Sequence, residues 1–300
     1  MLSRIFALLS LVMLTPFVQA MAVSAGSLIT LPDFPSQNIE PRPVHVWLPD
    51  GYPSGGPYEV LYMHDGQMLF DDKTSWNKQE WGVDEVASKL MAAEQVRPFI
   101  VVGIENITAK RHAEYFPQKA WGLMPAEARA QKHPLNNTEL LADNYLKFIV
   151  EELKPYIDEN YSVMGKRSST HIAGSSMGGL ISLYALMEYP EVFASAAAVS
   201  THWPGINPGD PLPVAESIRD YLRVNLPKPG SHRIYFDHGT ETLDAHYPEH
   251  QKKVDAIMRE KGYSDARWTT RVFTGHAHDE RSWQSRLTIP LLFLFATDAP

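Results

Sequence analysis

Short apolar runs rich in β-branched residues recur along this chain, with helix-patterned segments between them. That alternation constrains the fold more than any other feature. "PFIVVGIE" is the most strand-like run, and "EVLYMHDGQ", "HIAGSS", "FASAAAVS", "HRIYFDHG" and "RWTTRVF" repeat the theme, with a further strand pattern at Val44–Leu48. Between them, "VDEVASKLMAAE", "LLADNYLKFIVEELKPYIDENY", "GGLISLYALMEY" and "PEHQKKVDAIMREKGY" carry helical apolar spacing, and "SWQSRLTIPLLFLFA" closes the chain as a buried helix. Strands alternating with helices predict an α/β fold, a mostly parallel sheet of about eight strands covered by helices on both faces. With 300 residues and no Gly/Ser-rich divider, residues 21–300 read as one domain. The stretch from Ser27 to the Val44 strand reads as loop-rich.

The first twenty residues are a separate object. "MLSR" supplies a positive charge, an apolar run broken by Pro16 follows, and "VQA" ends on small residues at Ala20. This is the pattern of a secretory signal peptide over 1–20, with Ala22 and Ala25 as alternative cleavage points. The run is short for a membrane span. The expected mature protein is periplasmic or secreted, with no stable membrane anchor.

Composition removes several function classes. The chain has no cysteine, which excludes disulfides, thiolate catalysis and cysteine-ligated metals. Its net charge of −8 offers no cationic excess for nucleic acid. His246 and His250 stand four apart, but Pro248 lies between them and no matching Glu motif exists, so no metal is expected there. Oligomeric state is not legible.

"GSSMG" sits where a strand meets a helix and matches G-x-S-x-G through Gly174, Ser176 and Gly178. In a sharp strand-to-helix turn the central serine takes strained backbone angles, and its neighbours must be small for the chains to approach. Ser176 is therefore the expected nucleophile, and Ser175 should face away. The amide of Met177, at the helix N-terminus, points at a developing oxyanion. A serine needs a base, and the hydrolase order is Ser, then Asp or Glu, then His. Asp237, Glu241 and Asp244 follow one later strand, and His276 and His278 the next. The second oxyanion amide is expected on Gln67, in the loop after "YMH", where Gly66 lets the backbone turn. His64 precedes the serine, so its order is wrong for the base.

Residues Asn106 to Asn137 make an unusually long connection and carry Tyr115, Phe116, Trp121 and Met124. Such a segment is a lid over a site or a packed insertion, and the lid is the favoured reading. Trp203, with His202, is expected at the pocket rim. With Tyr115 and Trp121 it suggests a site for an aromatic or sugar-linked acyl group. Arg111 and Glu114 either pair to pin the segment or bind a polar part of the substrate.

The pieces "YMHDGQMLFD", "IVVGIEN", "RHAEYFP", "IAGSSMGGL", "FDHGTETLDA" and "GHAHDERSW" together resemble the esterase family of α/β-hydrolases that includes esterase D, enterochelin-esterase-type enzymes and feruloyl esterases. The resemblance runs from about Val60 to Trp283. It implies the α/β-hydrolase fold and a serine carboxylesterase acting on a small-molecule ester by a mechanism that needs no metal or organic cofactor. The family's "GGHDW…W"-like segment, aligned on "HDERSW", makes His278 the base and Trp283 its partner, although "GHAH" replaces "GGH" and leaves His276 a rival. The acid of the family follows a "GT" turn, which favours Asp244, with Glu241 the alternative, and disfavours Asp237. Two other functions stay open beside ester hydrolysis: acyl transfer on the same machinery, and a non-catalytic ligand-binding homologue.

Overall fold

The computed structural model describes residues 21–131, 139–210 and 212–297, so the signal-peptide segment lies outside the described residues. Eight strands form one sheet: β1 (Ser27–Phe34), β2 (Arg42–Leu48), β3 (Glu59–His64), β4 (Phe99–Ile104), β5 (Thr170–Ser175), β6 (Ser195–Val199), β7 (Arg233–His238) and β8 (Trp268–Val272). Their spatial order is β1-β2-β4-β3-β5-β6-β7-β8. β2 runs antiparallel to both β1 and β4, and every other pair is parallel.

Burial on both faces explains the continuous apolar runs. In β4, Ile100, Val102 and Ile104 face one core cluster while Phe99 and Val101 face the other. In β3, Val60 and Tyr62 likewise oppose Leu61 and Met63. Strand periodicity of two sends neighbours to opposite layers, so a strand covered on both sides cannot show polar alternation. The helix Met177–Glu188 is buried along nearly its whole length, consistent with its central place behind β5 and β6.

Two elements depart from the sequence expectation. β1 is a strand where a loop-rich stretch was expected. It lies at the sheet edge and is largely exposed, and its register with β2 shifts between Leu31 and Phe34, around Pro32. An exposed edge strand carrying a proline and a bulge lacks the apolar signal of its buried neighbours. The helix Val214–Asn225, between β6 and β7, was not anticipated. It buries Val214, Ile218, Tyr221 and Leu222 on one face.

The topology places a site. β3 lies between β4 and β5, so the chain moves to one side of β3 and then to the other. Open α/β sheets bind ligands at that reversal, beyond the carboxyl ends of the strands. The loop after β3 carries Gln67, and the turn after β5 carries Ser176. The loops after β7 and β8 open at the same edge, because all these strands are parallel.

Candidate active site

Ser176 takes φ 59° and ψ −122°, between the last residue of β5 and the first turn of the helix Met177–Glu188. A non-glycine residue at such angles costs on the order of 1–3 kcal/mol and persists only where its surroundings hold it. Here the Ser176 amide donates to the Val199 carbonyl at 3.0 Å, and its own carbonyl accepts from His202 N at 3.1 Å and Gly179 N at 3.0 Å. Gly174 is required by close approach: a Cβ there would stand 2.9 Å from the backbone of Gly178 and 3.0 Å from the His64 ring. Ser175 remains in β5, buried and in register with Val199.

Asp244 and His278 are in direct contact. Asp244 Oδ1 lies 2.5 Å from His278 Nδ1. A carboxylate accepts, so Nδ1 carries the proton and Nε2 is left with a free lone pair. The backbone N–H of His278 donates to Thr242 Oγ1 at 2.8 Å, and the indole of Trp283 stands edge-on to the ring with centroids 5.1 Å apart. Asp244 Oδ2 accepts from Ser200 Oγ and from Gly239 N, each at 2.6 Å. Burial alone would raise the pKa of Asp244, but the hydrogen bonds from His278, Ser200 and Gly239 prevail and hold it below its ordinary value.

The rival residues are placed elsewhere. The Glu241 side chain is exposed and, among the described residues, accepts only a 3.4 Å contact from its neighbour Thr240, while Asp237 is fully buried and bound by the Arg286 guanidinium. His276 accepts through its carbonyl from Thr240 N and Glu241 N. Its ring faces Arg286 and Ser285 rather than a carboxylate.

The loop after β3 is pinned from below. Asp65 adopts φ 59° and takes a two-pronged ion pair from Arg111, Nε to Oδ1 at 2.8 Å and Nη2 to Oδ2 at 2.7 Å. Burial would raise the Asp65 pKa, yet the Arg111 charge outweighs it and the group stays below its ordinary value. Asn106 Nδ2 adds a bond to Asp65 Oδ1 at 2.7 Å, and Asn106 N donates to Gln67 Oε1 at 3.2 Å. Gly66 packs against β4, where a Cβ would meet Gly103 at 2.7 Å. Among the described residues no backbone carbonyl accepts from the amides of Gln67 or Met177. His64 is buried beneath, bonded through Nδ1 to the Tyr145 hydroxyl at 2.8 Å, and burial pushes its pKa down to about 3. A ring so held stays neutral and is a structural residue.

Several expected substrate contacts are instead packing. Trp203 is buried against Phe236 with its indole N–H on Gln251 Oε1 at 2.8 Å, which corrects the rim assignment. Tyr115 is fully buried between His64 and Tyr145. Trp121 is half-buried, edge-on to the buried Phe116. Arg111 and Glu114 do not pair with each other: Arg111 binds Asp65, and Glu114 forms a buried fork with Arg42 at 2.7 and 2.8 Å. The described part of the long connection is three short helices, Arg111–Tyr115, Gln118–Gly122 and Ala126–Arg129. The helices and the turns between them contribute Tyr115, Phe116, Ala120, Met124 and Ala128 to the core, so this part is a packed insertion rather than a lid. Residues 132–137 of that expectation lie outside the described residues.

Sequence reasoning missed Tyr247, Ser200 and Arg286. Tyr247 is fully buried and places its hydroxyl 2.8 Å from His202 Nδ1. Ser200 Oγ gathers Trp283 Nε1 at 3.0 Å and Arg286 Nη2 at 2.8 Å behind Asp244. Spacing held a clue: Arg286 is one turn beyond Trp283, and Tyr247 is three residues after Asp244, whose carbonyl it bonds.

An eight-stranded sheet with β2 antiparallel, a strained serine turn at the reversal of strand order and an Asp–His pair at the same edge define an α/β-hydrolase. The "Putative esterase" family matches residues 37–294, and the chain belongs to that family, as a hydrolase of carboxylic esters. It is 23% identical to "Uncharacterized protein YbbA" of Bacillus subtilis (strain 168) over 258 residues, 83% of this chain and 91% of that protein. It is 27% identical to the ferri-bacillibactin esterase BesA of the same organism over 177 residues, 56% of this chain and 57% of BesA. Among solved structures, the ferulic acid esterase AmCE1/Fae1A of Anaeromyces mucronatus aligns with a TM-score of 0.64 at 20% identity, over 92% of each chain.

Proposed function

We propose that this protein is an exported serine carboxylesterase working through Ser176, His278 and Asp244 by way of an acyl-enzyme. The observation that carries the reading is the 2.5 Å contact of Asp244 with His278 at the sheet edge that holds the strained Ser176. His278 Nε2 takes the Ser176 proton as Oγ bonds to the ester carbonyl carbon. The amides of Met177 and Gln67 receive the oxyanion. As the ester C–O bond breaks, the alcohol departs with the proton from His278. Water, deprotonated by His278, then attacks the acyl carbon and releases the acid and Ser176.

Two kinds of ester fit the reading best, those of aromatic acyl groups and those of siderophore lactones. The support is the likeness to AmCE1/Fae1A and to BesA. Purified mature protein would be offered methyl ferulate, a catecholate trilactone and a short-chain nitrophenyl ester. Saturable hydrolysis of at least one, abolished in folded Ser176→Ala, supports the reading. Equal rates in the two proteins overturn it.

Export rests on the apolar N-terminal pattern. Ala22 N binds Asp71, Ser24 N binds Asp84, and Met21 and Val23 pack on the core. Those contacts favour cleavage after Ala20 over cleavage after Ala22 or Ala25. Intact-mass measurement on protein recovered from the periplasm or medium tests this. A chain starting at Met21 is expected, and one retaining residues 1–20 contradicts it.

A further inference from the structure

Thr242 holds the main chain of the base. Its Oγ1 accepts from His278 N at 2.8 Å, and that amide has no other partner among the described residues. Two residues further on, Asp244 holds the ring of the same histidine through Nδ1. Both tethers leave one short 3₁₀ turn, Thr242–His246. The two loops are also joined further back. Thr240 N and Glu241 N each donate to the His276 carbonyl at 3.0 Å, and Gly275 N donates to Thr240 Oγ1 at 2.9 Å. With amide and ring both tied to it, His278 can move only with the turn.

The backbone of Thr242 is strained. Its φ is 52°, where the chain turns from extended Glu241 (φ −111°, ψ 161°) into the 3₁₀ turn. Glycine adopts a positive φ without penalty, whereas the branched Cβ of a threonine crowds the backbone there. The other non-glycine residues with positive φ among those described, Asp65, Lys78, Glu94, Ser176 and Ser200, are not β-branched. Asp65, Ser176 and Ser200 belong to the site itself: Asp65 pins the loop after β3, Ser176 is the nucleophile, and Ser200 donates to Asp244 Oδ2. Strain of this kind clusters where a side chain must be aimed. Thr242 is exposed, so core packing does not demand its bulk. A glycine would make the same turn unstrained. What the threonine adds is the hydroxyl that receives His278 N.

We propose that Thr242 is a positioning residue that fixes the main chain of His278 through its hydroxyl, and that its strained backbone is retained for that hydroxyl. This inference rests on the assignment of Ser176 as nucleophile and His278 as base made above. It divides the side chain into two parts with separate effects. The γ-oxygen acts on the reaction: without it the His278 amide is released to water, and the loss is that of one neutral hydrogen bond, about five-fold in acylation rate. The branched Cβ acts on stability: without it the positive φ is relieved. A residue that merely filled space would move stability and activity together.

The test combines urea unfolding with the second-order rate of fluorophosphonate labelling, on mature wild type, Thr242→Val, Thr242→Gly and Thr242→Ser. The first variant keeps the branch and loses the hydroxyl, the second loses both, and the third loses only the methyl. Thr242→Val and Thr242→Gly are expected to label about five-fold more slowly than wild type, and Thr242→Ser to recover most of the rate. Thr242→Gly is expected to be more stable than Thr242→Val, with an unfolding constant about ten-fold smaller. That order is the reverse of the one at an ordinary position. Thr242→Val and Thr242→Gly labelling at the wild-type rate, or Thr242→Ser as slow as they are, overturns the inference and leaves the esterase reading intact. So does a Thr242→Val at least as stable as Thr242→Gly. A wild type that does not label at all overturns both. If Thr242→Val does not fold, the rates of Thr242→Gly and Thr242→Ser decide.

Discussion

Asp244 Oδ1 stands 2.5 Å from His278 Nδ1 while the other oxygen of the same carboxylate is tied to Ser200 and Gly239. With both oxygens engaged the carboxylate cannot rotate, so it fixes one tautomer and one orientation of the imidazole. Asp244→Asn keeps the size but can present an N–H to Nδ1 and favour the wrong tautomer. A loss on the order of 10⁴-fold in kcat is expected, with KM little changed. Glu241→Gln, altering an exposed side chain, should leave kcat near wild type. Steady-state kinetics of the two variants decide between these carboxylates, and the reverse order of losses would reassign the acid.

Ser200 is the hub behind that carboxylate. Its hydroxyl donates to Asp244 Oδ2 and accepts from Trp283 Nε1 and Arg286 Nη2. Ser200→Ala leaves buried donors without a partner, and a loss of about 1–3 kcal/mol in urea unfolding is expected. Activity should fall less than in Asp244→Asn, because Gly239 N and His278 still hold the carboxylate.

The Arg42–Glu114 fork ties β2 to the insertion with both side chains out of solvent. Glu114→Ala strands a buried guanidinium, and destabilisation of about 3–5 kcal/mol is expected. Denaturant unfolding measures it. A change no larger than that of an exposed ion pair would contradict the burial of this pair.

Glu80 has an oxygen with no hydrogen-bond partner, and its pKa is raised to about 7, first by burial and then by Glu85, Asp84, Asp72 and Asp71. The folded protein therefore holds this proton more tightly than the unfolded chain does. Its contribution to stability is present at low pH and is lost as pH rises from the ordinary carboxylate value toward about 7. Glu80→Gln should raise the melting temperature at about pH 8, and the gain should shrink toward about pH 5. Thermal scans at the two pH values check this.

The parallel strands and the serine turn were legible in the sequence because both-face burial writes continuous apolar runs and the turn demands small residues at fixed spacing. β1 was not, because an exposed edge strand with Pro32 has neither signal. The aromatic residues of the 106–137 segment could be read as a rim or as a core. Only the contacts of Tyr115 with His64 of β3 and with Tyr145, and the burial of Phe116, distinguish the two. The contacts of Tyr247 and Ser200 depend on proximity across loops after different strands, which spacing along one segment does not encode. The charge on Glu114 answers Arg42, 72 positions away, rather than its near neighbour Arg111.

The central claim is that Ser176 is an activated nucleophile. The most direct measurement is reaction of the folded mature protein with a fluorophosphonate, followed by mass-spectrometric mapping of the modified residue, in wild type and Ser176→Ala. Stoichiometric modification at Ser176 that disappears in the variant is predicted. A folded wild type that remains unmodified, or carries the label on another residue, would contradict the account.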